Sequence, residues 1–285
     1  MNAAATLNIT SADQHQFSAG IFRSDDERAP VLIFNSALGT PSKVYRGIAS
    51  AFAEHGITVC TPDWRGIASS SVRASRRCNF GYRHLVELDA PALISTVQAH
   101  FPGAPIWLGG HSLGGQLAAL TAATNTNAVC GLMPIASGSV FLPCFPKKSQ
   151  QQIRFLGTII KLAGPVLGYF PGQRMGFGGR EANGVMRDWF QVAVSGRYQP
   201  VGSQTDYEAA LASLRIPVLS VNFEHDSFAP AAAASYLMAK LSGCAPEKWH
   251  WTEHDTAGIK LDHYSWLKHP AIVVPRMADW LLKHA

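Results

Sequence analysis

Residues 105–114 read Pro-Ile-Trp-Leu-Gly-Gly-His-Ser-Leu-Gly and contain the pattern Gly-x-Ser-x-Gly, at Gly110–Gly114. An apolar strand-like run precedes the pattern, and a helix-like run, Leu113–Thr124, follows it. A serine at so sharp a strand-to-helix turn has a strained backbone, and small residues two positions away on either side give it room. We therefore predict that Ser112 is a nucleophile lifted clear of both elements; the alternative is a tight glycine turn with a bystander serine.

Outward from this pattern, short apolar runs alternate with helix-length segments. Five runs have the composition of buried strands: Val31–Asn35, Ile57–Thr61, Pro105–Gly109, Val129–Ala136 and Ile216–Phe223. Three helix-length segments lie between them: Ser42–His55, His84–His100 and Leu113–Thr124. This alternation is typical of a mostly parallel sheet with helices on both faces, so the predicted fold class is α/β.

The two ends of the chain complete this sheet. Thr6–Phe22 alternates between apolar and polar residues and carries Ser, Asp and Gly at its middle, which predicts an antiparallel hairpin at the sheet edge. Trp249–Trp251 is predicted to be the last strand, and Pro270–His284 a final amphipathic helix.

The alternation stops between residues 140 and 207, where no strand-like run is found. Two helical stretches are predicted there, Gln151–Ala163, ended by Gly164-Pro165, and Gly184–Ser195. Because a structureless loop of this length is improbable in a compact domain, we predict an inserted helical cap at 140–207. Residues 1–139 and 208–285 would then form the core domain.

Composition excludes several classes of protein. Hydrophobic residues make up 47% of the 285 residues and charged residues 15%, which excludes wholesale disorder. The net charge of +5 is too weak to indicate a nucleic-acid partner. The charge is concentrated in residues 147–188, which hold seven Lys and Arg against two acidic residues. This indicates either a solvated helical face or a basic rim that guides an anionic substrate.

The five cysteines are scattered, and no Cys-x-x-Cys motif occurs. This arrangement indicates neither a disulfide framework nor a zinc ribbon, and reduced thiols in a cytoplasmic protein fit best. The N-terminal residues have no basic segment followed by an apolar one, so no signal peptide is expected. We expect no metal and no cofactor.

The segment Gly-His-Ser-Leu-Gly-Gly resembles the nucleophile elbow of the α/β-hydrolase superfamily. Asn35–Gly39 after an early strand, Asp63–Gly66 after the next one and the inserted cap agree with this resemblance, which spans nearly the whole chain. The sequence is similar to bacterial members related to monoglyceride lipases and serine aminopeptidases. The resemblance implies an α/β-hydrolase fold with a mostly parallel central sheet, and a serine hydrolase that needs no cofactor.

In this superfamily the nucleophile is followed by the acid and then by the histidine base. The resemblance assigns the base to His263, which lies after a loop and just before the final helix; His254 is the alternative. It assigns the acid to Asp226, on the turn after the Ile216–Phe223 strand, with Glu224 as the alternative. Glu224, His225 and Asp226 are also residue types that bind metals, but no matching cluster elsewhere supports a metal site.

Two backbone amides are expected to stabilise the oxyanion that forms during acyl transfer. The resemblance assigns one to Leu113, directly after the nucleophile, and the other to Ala37, with Leu38 as the alternative. The usual His-Gly pair of the family is replaced here by Asn35-Ser36. Backbone donors do not depend on side-chain identity, so this departure does not exclude an oxyanion hole. Asp63–Gly66 is interpreted as structural.

The expected function is hydrolysis of a small-molecule carboxylic ester or thioester with an apolar acyl group, in the manner of carboxylesterases and lipases (EC 3.1.1). The alternatives are an acyltransferase with the same triad and a non-catalytic ligand-binding protein on the same fold. Peptidase activity is less favoured because the cap is poor in acidic residues.

Peripheral contact with lipid is a further expectation, since the cap combines apolar and basic residues. Aromatic candidates for its acyl pocket are Phe141, Phe145, Phe155, Tyr169, Phe170, Phe177, Trp189 and Phe190.

Overall fold

The structure is a computed structural model that describes residues 5–285. Its strands are β1 (Ala5–Thr10), β2 (Gln16–Phe22), β3 (Val31–Asn35), β4 (Thr58–Pro62), β5 (Ile106–His111), β6 (Gly131–Ile135), β7 (Tyr169–Pro171), β8 (Arg180–Ala182), β9 (Leu219–Phe223) and β10 (Glu247–Trp251). Eight of them form one sheet in the order β1-β2-β4-β3-β5-β6-β9-β10, and β7 and β8 form a small separate sheet.

The large sheet is parallel except at one edge. Strands β4, β3, β5, β6, β9 and β10 run parallel to one another. Strands β1 and β2 form an antiparallel hairpin, which confirms the prediction for this segment, and β2 pairs antiparallel with β4. Strands β3, β4, β5, β6 and β9 are buried along their whole length, which explains their continuous apolar sequences.

Helices cover both faces of the sheet. They are α1 (Arg46–Glu54), α2 (Ala90–His100), α3 (Leu113–Thr124), α4 (Lys147–Leu167), α5 (Gly172–Met175), α6 (Asn183–Ser195), α7 (Tyr207–Ser213), α8 (Ala231–Lys240) and α9 (Pro270–His284). Helices α1 and α9 pack on one face, and α2, α3, α7 and α8 pack on the other. Neighbouring residues of β5 face the two helix layers. Trp107 makes an edge-to-face contact with Trp280 of α9, whereas Leu108 belongs to the core on the other face, which contains α3.

The segment 140–207, called the insert below, departs from the prediction in several places, among them the start of α4 at Lys147 instead of Gln151 and the four-residue α5. It contains β7 and β8 where no strand was predicted; these are three residues each, too short for a recognisable pattern. Helix α4 continues through Gly164-Pro165 to Leu167 and ends at Gly168, which has φ 74°. Within residues 5–285 no helix is both long and apolar enough to cross a lipid bilayer. The division into a core domain and a cap stays a prediction.

The carboxyl ends of the parallel strands lie along one edge of the sheet. The loop with Asn35–Gly39 follows β3, Ser112 follows β5, Asp226 follows β9, and His263 lies in the connection between β10 and α9. The insert follows β6 and therefore begins at the same edge. Loops from separate parts of the sequence are thus brought together where α/β sheets bind ligands.

Candidate active site

Ser112 is held at the turn between β5 and α3 with φ 55° and ψ −120°, a conformation that few residues other than glycine adopt. A Cβ atom on Gly110 would lie 2.6 Å from the Gly114 backbone, and one on Gly114 would lie 2.4 Å from the carbonyl oxygen of Asn35. Both positions therefore require glycine, because the turn packs closely against itself and against the end of β3. Backbone strain of this kind persists only where the surrounding structure enforces it.

His263 and Asp226 are joined by a buried hydrogen bond. The Nδ1 atom of His263 lies 2.8 Å from Oδ2 and 3.0 Å from Oδ1 of Asp226, and the Asp226 side chain has no exposed surface. The amides of Phe228 and Ala229 also donate to Asp226 Oδ1, at 2.9 and 2.8 Å. The Asp226 carboxyl group therefore engages Nδ1 of the imidazole and leaves Nε2 for chemistry.

The alternative acid and base lie elsewhere. His254 and Glu224 are exposed, and Glu224 accepts a hydrogen bond from the Glu253 amide. His225 Nε2 lies 2.8 Å from Glu253 Oε1, so this group forms a surface cluster beside the Asp226 turn. Within the described residues 5–285, no group of three or more His, Cys, Asp or Glu side chains could hold a metal ion.

Ser112 and His263 line the same cavity, which has a volume of about 220 Å³. Apolar side chains from the insert form much of its wall: Phe145, Ile153, Leu156, Phe177 and Trp189. Three of the eight aromatic candidates therefore contact the cavity, whereas Phe155 is 63% exposed. The cavity combines a polar floor at the sheet edge with an apolar wall above it, which suits a ligand with one reactive polar end.

The amide of Ala37 is already engaged, because it donates a hydrogen bond of 2.9 Å to the hydroxyl of Tyr45. Leu38, not Ala37, lines the cavity beside Ser112. Within residues 5–285, the amides of Leu38 and Leu113 donate to no protein acceptor. The structure therefore favours Leu38, the alternative considered from the sequence, over Ala37 as the candidate donor of this loop. Sequence could not decide between them, since the choice depends on Tyr45.

The loop that contains Leu38 is held by the segment Asp63–Gly66. The indole N–H of Trp64 donates to the Ser36 carbonyl at 2.8 Å. The Asp63 carboxylate accepts hydrogen bonds from the amides of Ser42 and Ser69, at 2.9 and 3.1 Å. These contacts agree with the structural interpretation of this segment and fix the loop before any ligand binds.

A family model described as the alpha/beta hydrolase fold matches residues 30–156, and structures with this fold match almost the whole chain. The chain has the α/β-hydrolase fold. DcsB, solved in complex with its substrate analogue, is 15% identical with a TM-score of 0.70, and 98% of each chain is covered. The enol-lactonase from Burkholderia xenovorans LB400 is 14% identical (TM-score 0.61, covering 97% of this chain and 100% of that one). The thioesterase domain from the curacin biosynthetic pathway is 16% identical (TM-score 0.60, covering 98% and 99%).

No match is found among curated proteins. The part matched by the family model includes the elbow of the α/β-hydrolase fold at Ser112, but it ends before Asp226 and His263. The assignment of these two residues therefore depends on their contact with each other and on the cavity that His263 shares with Ser112.

Tyr45 and His111 form a buried pair that the sequence did not indicate, since they are 66 residues apart. Tyr45 Oη accepts a hydrogen bond from the Ala37 amide and forms a second hydrogen bond, of 2.9 Å, with His111 Nδ1. The ring of His111 lies 4.6 Å from the ring of His263. Burial, together with the neighbouring His263, holds the pKa of His111 well below its usual range. We therefore interpret His111 as an uncharged residue with a structural role, which packs against the ring of His263.

A second Ser-His-Asp arrangement lies away from the cavity. His15 Nδ1 is 3.1 Å from Asp89 Oδ1, and His15 Nε2 is 2.9 Å from Ser70 Oγ. All three residues are buried and none lines the cavity at Ser112. Ser70 Oγ also accepts the Gly66 amide and donates to the Val72 carbonyl. Its hydroxyl is saturated by structural bonds, so this arrangement stabilises the packing of loops and has no access to a substrate.

The buried His111 predicts how stability depends on pH. Its folded pKa lies below the unfolded value of 6.5, so below that pH the unfolded chain binds a proton that the folded chain does not. The free energy of unfolding should therefore fall as the pH falls from about 7 to 5, with a contribution from His111 of up to ~1.4 kcal/mol per pH unit.

His111→Asn keeps an acceptor for Tyr45 and removes the titrating group, so its stability should fall less steeply over the same pH range. Urea unfolding at several pH values measures both slopes. The exposed His254→Asn variant is the control and should follow the wild type. A His111→Asn slope equal to that of the wild type would contradict the assignment.

Proposed function

We propose that the chain is a cofactor-independent serine hydrolase that cleaves carboxylic esters or thioesters through an acyl-enzyme on Ser112. The observation that carries the proposal is the shared cavity: Ser112, on its strained turn, lines it together with His263, whose other nitrogen is bonded to buried Asp226. A serine hydroxyl is a weak nucleophile at neutral pH and needs such a base. The amides of Leu38 and Leu113, which donate to no protein acceptor in the described part of the chain, supply the remaining requirement, two donors for an oxyanion.

The first half of the reaction forms the acyl-enzyme. Ser112 Oγ attacks the carbonyl carbon of the substrate while its proton passes to Nε2 of His263. The carbonyl oxygen gains the negative charge, and the amides of Leu38 and Leu113 stabilise it. Asp226 stabilises the imidazolium through the bond to Nδ1. When the tetrahedral intermediate collapses, the imidazolium gives its proton to the leaving alcohol or thiol.

The second half returns the enzyme to its starting state. Water attacks the acyl carbon while His263 accepts a water proton, and the acid leaves as Ser112 regains its proton. The apolar wall of the insert supports an apolar acyl group as the part of the substrate held during both halves. The names of the thioesterase domain and the enol-lactonase, both of the same fold, are consistent with chemistry at an activated acyl carbon.

The alternative with the best structural basis is an acyltransferase, which would use the same residues and deliver the acyl group to another alcohol or amine. Turnover with added alcohol, followed by product analysis, separates the two: a hydrolase gives free acid as its main product. Aminopeptidase activity is less favoured. The insert carboxylates Glu181 and Asp188 accept backbone amides, from Gly179 and from Tyr82 and Val201, and neither lines the cavity where a substrate amine would bind. A cytoplasmic location stays a prediction.

A fluorophosphonate probe tests the nucleophile directly. The wild type should be labelled at Ser112, and Ser112→Ala should lose labelling and at least ~10³-fold of any ester-hydrolysis rate, because the nucleophile is removed. Ser149→Ala is the matched control, since this second serine lines the same cavity and should leave labelling intact. Full labelling of Ser112→Ala would contradict the mechanism, and a properly folded wild type that is never labelled would favour the non-catalytic alternative.

We also propose that the outer face of α4 contacts an anionic lipid surface. Phe155 and Leu162, 63% and 67% exposed, lie seven residues apart and therefore on one side of the helix, and the exposed Arg154 and Lys161 lie beside them. An exposed apolar stripe flanked by cations is the arrangement by which interfacial helices bind anionic bilayers.

Cosedimentation with vesicles tests this contact. The wild type should bind vesicles that contain phosphatidylglycerol and should bind neutral phosphatidylcholine vesicles weakly. The Phe155→Ser/Leu162→Ser variant should bind the anionic vesicles at least about ten-fold less, because two apolar side chains no longer insert. Val201→Ser, at an exposed valine outside α4, is the control. Equal binding by the double variant, or no binding by the wild type, would refute the contact.

A further inference from the structure

One polar side chain stands out in the wall of the cavity at Ser112. Gln116 lines this cavity although it is only 3% exposed, and it lies on α3 four residues after the nucleophile. Its Oε1 accepts a hydrogen bond of 3.0 Å from the hydroxyl of Tyr198. Its Nε2 donates to no protein group within residues 5–285 and is not enclosed by protein atoms. The amide N–H groups of Gln116 therefore face the cavity.

The orientation of this amide is fixed by its partner. Tyr198 is 2% exposed, and burial raises the pKa of its hydroxyl far above the physiological range. The hydroxyl thus remains protonated and donates to Oε1, which directs the two Nε2 protons away from Tyr198 and into the cavity. The Gln116 side chain is almost wholly buried, and an amide donor in such surroundings is unfavourable unless water or a ligand accepts from it. The Nε2 group of Gln116 can therefore donate a hydrogen bond to a ligand in the cavity.

The position of the amide defines which part of a ligand it would meet. The backbone N–H of Gln116 donates to the carbonyl of Ser112 at 3.4 Å, so the two residues are separated by slightly more than one helical turn, about 6 Å along the axis. Side chains of a helix lean towards its N-terminus, which brings the Gln116 amide back towards Ser112. If an acyl group were attached to Ser112, the part of its chain a few bonds beyond the acyl carbonyl carbon would therefore lie next to the Gln116 amide.

The surroundings of Gln116 define the rest of the ligand. Apolar groups from the insert, including Ile153, Leu156 and Trp189, line the same cavity. These groups favour an alkyl tail, whereas the Gln116 amide favours one oxygen acceptor near the start of that tail. Discrimination is expected because a buried donor that is left unpaired penalises the ligand without the oxygen.

We propose that Gln116 is a specificity-determining residue that selects acyl groups carrying a hydroxyl or oxo oxygen close to the ester or thioester carbonyl, followed by an apolar tail. Tyr198 is the positioning residue that directs the amide. This inference deepens the proposed function and rests on it, since it assigns the cavity to the acyl group attached to Ser112. Catalysis itself does not require Gln116, because the amide contacts the chain of the substrate and not the reacting atoms.

The test compares two ligands that differ by one oxygen: the N-acetylcysteamine thioesters of octanoic acid and 3-hydroxyoctanoic acid. Calorimetry in the Ser112→Ala background measures binding without turnover. The hydroxylated ligand should bind about ten-fold more tightly, as one hydrogen bond to a buried donor predicts. Gln116→Met, which keeps the volume and removes the amide, should abolish this preference mainly by weakening binding of the hydroxylated ligand. Tyr198→Phe should reduce the preference without removing it, because the amide is then free to turn.

Gln152→Met is the matched control, since it makes the same chemical change at an exposed glutamine of the cavity wall, where solvent already satisfies the amide; the preference should stay within about two-fold of its starting value. An unchanged preference in Gln116→Met, or equal binding of the two ligands by the Ser112→Ala protein, would overturn the inference.

Turnover of both thioesters by the protein with Ser112 intact reports on the proposed function separately. Absence of turnover with a preserved binding preference would refute hydrolysis and leave the role of Gln116 standing.

Discussion

The hydrogen bond between His263 Nδ1 and the Asp226 carboxylate is the interaction on which the account of the site depends. It joins the loop after β9 to the connection between β10 and α9, and it buries a carboxylate that two backbone amides also hold. A buried charge is costly unless it is paired and hydrogen-bonded, so this pair stabilises both loops as well as the tautomer of His263. The same bond engages Nδ1 and leaves Nε2 for chemistry at the cavity that His263 shares with Ser112.

The two Ser-His-Asp arrangements show what separates chemistry from structure. Both contain the same side-chain types and a histidine hydrogen-bonded to an aspartate, and the one at His15 also has its serine and histidine in contact. That serine is enclosed and satisfied by backbone groups, whereas Ser112 is on a strained turn that lines a cavity. Access to a ligand and unsatisfied donors around it, and not the triad geometry alone, therefore identify the candidate site.

Local sequence predicted the elements whose boundaries depend on local signals. Strand β3 and helices α3 and α9 begin and end where the sequence indicates; local signals there include Pro30 before β3, the elbow at Ser112 before α3 and Pro270 at the start of α9. The elbow and the choice of Asp226 and His263 came from a motif and a family resemblance.

Tertiary contacts decided the features that the sequence did not predict. Gly164 within α4 leaves room for Asn183, which a Cβ atom at this position would meet, and the Ala37 amide is occupied because it donates to Tyr45, at the start of α1. Neither contact has a signal in the neighbouring sequence.

The central claim is that Ser112 and His263 act as one unit, and a double-mutant comparison tests it most directly. The rate of p-nitrophenyl ester hydrolysis would be measured for Ser112→Ala, His263→Ala and the double variant, with circular dichroism to verify folding. If the two side chains transfer one proton between them, the double variant should be no slower than the slower single variant, since either change already abolishes the step. Losses that multiply would contradict the account, because they would show two residues that act independently.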